Sequence, residues 1–116
     1  MKQFDIVLLN LDPIVGHEQG GYRPCLVVQT NAGLDKSRTI MIVPFTSNIK
    51  RRFSFDILVD PNSENGLSET SRLKFDQTRV VDKKRIIKTL GQLEETWFED
   101  VLKGLDFIFD RNQQFA

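Results

Sequence analysis

The sequence predicts a small, mainly-β protein: five antiparallel strands curled into a half-barrel, with one C-terminal helix packed on it. Three observations lead there. Short apolar runs recur through the first two thirds of the chain, each closed by a turn signal such as Asp-Pro or Asn-Gly. Towards the end of the chain the apolar period lengthens from two to between three and four. The length, 116 residues, suits one domain spanning 1–116 with a single modest core.

Residues 4–11 (FDIVLLNL) are apolar and partly alternating, and Asp12-Pro13 ends them. Residues 25–30 (CLVVQT) form a continuous apolar run, which suits a strand buried on both faces. The third strand is expected over 39–46 (TIMIVPFT) and the fourth over 53–59 (FSFDILV), ended by Asp60-Pro61. Asn65-Gly66 then marks a turn. The fifth strand is expected over 72–82, with alternation around Leu73, Phe75 and Val80. From Glu94 to about Asp110, Trp97, Phe98, Val101, Leu102, Leu105, Ile108 and Phe109 recur at helical spacing, and that stripe is expected to face the core. Glu94 and Glu95 suit the positive N-terminal end of this helix.

Composition excludes several classes of function. Sixteen basic and sixteen acidic residues cancel, so net charge announces no nucleic-acid partner and charge must be read locally. No run is apolar and long enough to span a membrane. The start, MKQFDIVLL, is too short and too quickly acidic for a signal peptide. One cysteine, Cys25, permits no internal disulfide and suggests a reducing cytoplasm. One histidine and one cysteine give no metal-ligand spacing, so neither a metal nor another cofactor is expected.

One connection stands out. VGHEQGGYRP (15–24) is long, polar and glycine-rich, and it joins two very apolar runs. Pro24 forces Arg23 into extended geometry at the mouth of the second strand. A hairpin centred on 31–38 sets Arg23 opposite Thr46, and opposed Cβ atoms lie about 5 Å apart. A fixed guanidinium and a hydroxyl then meet at one end of the sheet. His17, Glu18 and Gln19 add polar groups above that end. Lys50, Arg51 and Arg52, flanked by Phe53 and Phe55, offer cations with aromatic faces, as single-strand binders do. Lys83-Lys84-Arg85 reads instead as a solvated run outside the site.

The segment DIVLLNLDPIVGHEQGGYRPCLVVQ (5–29) resembles the opening of the MazF/PemK/Kid family of toxin endoribonucleases. The likeness continues through VPFTSNI (43–49) and KFDQTRVVDKKRI (74–86) to the C-terminal helix, and is weak around 50–70. It implies an SH3-like, MazF-like β-barrel, a homodimer, and a toxin of a type II toxin–antitoxin system. It also implies sequence-specific, metal-independent cleavage of single-stranded mRNA. In that reaction the ribose 2′-OH attacks the adjacent phosphate, leaving a cyclic or 3′-phosphate and a 5′-OH.

By the same resemblance, Arg23, Thr46 and Asp76 are the catalytic residues. Arg23 matches the family arginine after the glycine-rich loop, Thr46 its Thr/Ser after the third strand, and Asp76 the acidic residue proposed as base in Kid-like members. His17, Glu18, Gln19, Lys50, Arg51, Arg52, Lys74 and Gln77 are the expected RNA-binding residues. Lys74, two residues before Asp76 on the same expected strand face, departs from the arginine of members near Kid. The expected partners are RNA and a cognate antitoxin with an acidic, partly disordered tail. Two other readings stay open at this point: a CcdB-like gyrase poison on the same barrel, and a non-catalytic RNA- or protein-binding barrel.

Overall fold

The computed structural model of the chain describes residues 1–18 and 20–109. Its strands are β1 (Asp5–Asn10), β2 (Tyr22–Val27), β3 (Thr39–Thr46), β4 (Leu58–Val59), β5 (Ser71–Leu73), β6 (Arg79–Asp82) and β7 (Ile86–Gln92). One helix, α1 (Phe98–Ile108), follows. The antiparallel strands curl into a half-barrel in the order β4-β5-β3-β2-β1-β7, with β6 pairing β3 off that path. The architecture is the expected one, built from seven strands rather than five.

The fold turns on β3. One edge pairs with β2, with Cys25 opposite Pro44, Leu26 opposite Val43 and Val27 opposite Ile42. Carried on by two residues, that register sets Arg23 opposite Thr46, as the sequence predicts. The other edge pairs with β6 through Thr39–Ile42 and then with β5 through Phe45 and Thr46. Pro44 marks the change of partner. It has no N–H for a ladder, and its carbonyl accepts the N–H of Lys74 at 2.9 Å. After Lys74 the chain leaves β5, takes a 3-10 turn over Phe75–Gln77, and re-enters the sheet as β6. The strand expected over 72–82 is thereby broken in two, and Lys74 and Asp76 do not share a strand face. The turn keeps Phe75 in the core, which is why the alternation runs through it.

Strands β1 to β3 are apolar on both faces. On one, Ile6, Leu26, Val43 and Phe45 pack with Leu73, Phe75 and Val101. On the other, Val7, Leu9, Cys25, Val27, Ile40 and Ile42 pack with Leu34 and Val81. Each such large side chain contributes about 1.5–3 kcal/mol when fully buried. Helix α1 closes the first face. Phe98 stacks on Phe4 with ring centroids 4.2 Å apart. Gly104 lies flat on Phe75, where a Cβ would sit 2.5 Å from the ring Cζ. Val101 is buried, but Leu102 and Phe109 point to solvent, so the apolar stripe is narrower than the sequence predicts.

Two corrections concern loops. Of the strand expected over 53–59, only Leu58–Val59 pairs. The residues before it turn, because the Asp56 carboxylate accepts the N–H groups of Arg52 (2.9 Å) and Phe53 (3.1 Å). Lys83-Lys84-Arg85 is not uniformly solvated. Lys84 is exposed, but the Lys83 ammonium donates to the Leu34 carbonyl and the Arg85 guanidinium to the carbonyls of Asn10 and Asp12. Around the Asn65-Gly66 turn, the buried Asn65 amide donates to Glu94 Oε1 at 2.8 Å, tying the turn to the segment before α1. Gly66 has φ +69° and lies against the Leu90 carbonyl, a place open only to a residue without Cβ. No described helix is long and apolar enough to cross a membrane.

Candidate active site

At the end of the β2–β3 ladder, Arg23 and Thr46 line one cavity of about 90 Å³. The Arg23 side chain is fixed by carbonyls: Nε donates to Gly20 at 2.7 Å and Nη1 to Phe45 at 3.2 Å. Neither acceptor carries a charge to neutralise it. Thr46 Oγ1 accepts the N–H of Asn48 at 3.2 Å, which leaves the hydroxyl proton free to donate. The far wall of the cavity is built by Leu67, Ser68, Glu69 and Ser71, leading into β5. Sequence reasoning missed this wall. The one available signal was the polar run Ser68-Glu69-Thr70-Ser71 directly after the Asn65-Gly66 turn.

Asp76 sits on the 3-10 turn with its side chain a quarter exposed, and Arg52 Nη1 pairs with its Oδ2 at 3.5 Å. It does not line the Arg23 cavity. Lys74 links the two places. Burial pulls its ammonium below the ordinary lysine range; Asp76 works against that, and Arg72, Arg52 and Arg23 add to it. Lys74 therefore lies in a field of three guanidiniums and one carboxylate, and an anion there would raise it again. Gln77 closes the same turn and donates its N–H to the Lys74 carbonyl at 2.9 Å.

The remaining expected residues lie on two loops. His17 and Glu18 are exposed on the β1–β2 loop, with Glu18 Oε1 accepting the Val15 N–H at 2.8 Å. Gln19 falls outside the described residues. Lys50, Arg51 and Arg52 are exposed on the β3–β4 loop, and the Arg52 guanidinium lies 5.6 Å from the Phe53 ring centroid. Phe53 is exposed, as the sequence suggests, but Phe55 is half-buried. They stack on each other at 5.1 Å, and Phe55 stacks on Phe107 at 5.0 Å. What holds this loop was also missed: Arg72 and Asp56, 3% and 1% exposed at the side chain, pair at 3.4 Å, and Arg72 Nε donates to the Asn48 carbonyl at 3.1 Å.

The family model that matches this chain, over residues 2–109, describes the PemK-like, MazF-like toxins of type II toxin–antitoxin systems. The chain belongs to this family. It is 37% identical over 111 residues to the endoribonuclease PemK of Escherichia coli, covering 93% of this chain and 81% of that protein. It is 30% identical over 106 residues to the endoribonuclease EndoA of Bacillus subtilis, covering 90% of each. MazF from Deinococcus radiodurans has the same fold, with TM-score 0.79 at 25% identity over 95% of this chain and 96% of that one. A Mycobacterium tuberculosis toxin, MazF-mt6, gives 0.76 at 20% identity over 91% and 96%. In this PemK/MazF-family chain the resources for chemistry at the open end are a fixed guanidinium, a hydroxyl, a lysine of lowered pKa and a paired carboxylate. Among the described residues no group of three or more His, Cys, Asp and Glu gathers as metal ligands would.

Proposed function

We propose that this chain is a toxin endoribonuclease that cuts single-stranded mRNA through 2′-OH attack on the adjacent phosphate, with Arg23, Thr46 and Asp76 as catalytic residues. The observation that carries the reading is the shared cavity of Arg23 and Thr46, with the guanidinium held by two neutral carbonyls. A guanidinium is a reluctant acid at neutral pH but a natural bidentate clamp for phosphate oxygens. Arg23 stabilises the charge that gathers on the phosphoryl oxygens, and Thr46 donates a hydrogen bond to the same group. Asp76 takes the 2′-OH proton once the strand's phosphate draws Arg52 away from it.

Lys74, Gln77, Lys50, Arg51 and Arg52 bind the strand near this centre, and His17, Glu18 and Gln19 reach it from the β1–β2 loop. Base edges of single-stranded RNA are read mainly by such loops. The chain works as a cytoplasmic homodimer, and a co-encoded antitoxin covers the site with an acidic segment that orders on binding. One of the similar folds is an endoribonuclease in complex with its cognate antitoxin. The test is cleavage in excess EDTA. Purified protein cuts single-stranded RNA, spares duplex RNA and leaves 5′-OH ends; full dependence on added Mg²⁺ overturns the reading.

A further inference from the structure

Across β3–β6, Arg79 stands opposite Ile42, and across β2–β3, Ile42 stands opposite Val27. Opposed residues share a face, so Arg79, Ile42 and Val27 form one row. Cys25 and Pro44 form the next row, and Arg23 and Thr46 the one beyond. Rows on one face are about 6.8 Å apart, a gap that an arginine side chain can bridge. Its position is marked by Cys25. Burial pushes that thiol up to about 12, and the charges of both Arg23 and Arg79 pull against the rise. Two guanidiniums therefore flank one buried thiol.

Neither guanidinium makes an ion pair with a described residue. Among the described residues Arg23 donates to the carbonyls of Gly20 and Phe45. Of the carboxylates near this end, Asp76 pairs with Arg52 and Asp56 with Arg72, while Glu69 lines the Arg23 cavity without forming an ion pair with Arg23. Arg79 has no ion pair among the described residues, and its Nη1 is buried without a hydrogen bond. Buried polar groups of this kind are rare and call for a reason. The residue as a whole is only half-buried, so part of the side chain reaches the surface. Two guanidiniums on one face, neither ion-paired to a described residue, suit phosphate oxygens better than any neutral ligand.

We infer that Arg79 is a second phosphate-binding residue of the RNA site, holding a backbone phosphate beside the one at Arg23. The inference rests on the RNA-cleaving reading of the Arg23 cavity. Arg79 touches the strand but not the reacting atoms, so its loss weakens binding and registration more than chemistry.

The test compares wild type, Arg79→Met and Arg79→Lys in the full chain. The binding probe is a fully 2′-O-methylated RNA oligonucleotide, which has no nucleophile and stays uncut. In Arg79→Met the plot of log affinity against log salt flattens by about 0.7, the value for one lost contact on a single strand. Arg79→Lys keeps the slope, binds the probe more weakly, and raises KM more than it lowers kcat. A wild-type slope and affinity in a folded Arg79→Met protein overturns the inference and makes Arg79 a strut over Cys25. If Arg79→Met does not fold, inhibition of cleavage by inorganic phosphate decides in Arg79→Lys: several-fold weaker inhibition supports the site, and unchanged inhibition and KM overturn it. Failure of the wild type to cut RNA instead sinks the functional reading, while the salt slopes still report on Arg79.

Discussion

The β1–β2 and β3–β4 loops flank the same end of the sheet and are held in opposite ways. Among the described residues, the first is pinned at its base. Leu11 N–H donates to the Gly21 carbonyl, Gly21 N–H to Asp12 Oδ1, and Arg85 to the carbonyls of Asn10 and Asp12. Its tip, with His17 and Glu18, is exposed. The second loop is anchored from within by the Arg72–Asp56 pair, whose carboxylate also holds two N–H groups of the loop. His17 and Glu18 on one loop can therefore change at little cost to the fold. The other presents its cations from a frame that is part of the core.

The largest expected effect breaks the inner anchor. Asp56→Ala leaves Arg72 buried and uncompensated, and a broken buried pair costs about 3–5 kcal/mol. Denaturant unfolding should show that loss with the slope unchanged. A cost like that of a surface substitution would mean the pair only looks buried.

Next comes the guanidinium between the loops. Arg23→Ala should lower cleavage by about 10²–10³, the usual cost of one preorganised donor, in a protein that still folds. Arg23→Lys should recover little, since a point charge lacks the fork; near-normal rates in it would show that the clamp is misassigned.

Neutralising Lys50, Arg51 and Arg52 together tests the framed cations. RNA affinity should fall for every sequence alike, and the salt slope should flatten by about 0.7 per lost contact. An unchanged slope returns the run to ordinary solvated surface. On the other loop, His17→Ala should move stability by no more than about 0.5 kcal/mol, and its effect should lie in which sequences are cut. A melting temperature several degrees lower would contradict an exposed position of His17.

The smallest effect is one of pH. Lys74 is protonated below its pKa, and bound phosphate favours that charged form. RNA affinity should therefore be full at lower pH and fall as pH rises through the lowered value, before ordinary lysines titrate. Lys74→Arg, which stays charged, should remove that early fall in a pH titration of binding to uncut RNA.

Much of this was legible in the chain. The middles of β1 to β3 are strongly apolar because both faces of the sheet are buried there, and the β2–β3 register followed from centring one loop. Arg23 and Thr46 came with that register. The break at Phe75–Gln77 was hidden, since Leu73 and Phe75 keep strand alternation while the chain changes pairing edge. β7 was hidden because it is an edge strand whose residues, Ile87 and Lys88 among them, lie open to solvent and show no pattern. Asp56 and Arg72 were hidden because a charged residue reads as surface unless its partner is known. The aromatic spacing of Phe53 and Phe55 imitated a strand that the Asp56 carboxylate prevents.

The sheet's double coverage bears on how the molecule yields to stress. Amides of Leu26 and Val27 sit under two apolar layers, whereas His17 and Glu18 of the β1–β2 loop are exposed. Local opening should reach that loop at a small fraction of the global unfolding energy and the central strands only when everything opens. Deuterium would then enter the loop first and β2 last, and a protease would nick the chain near His17 long before it cut the barrel.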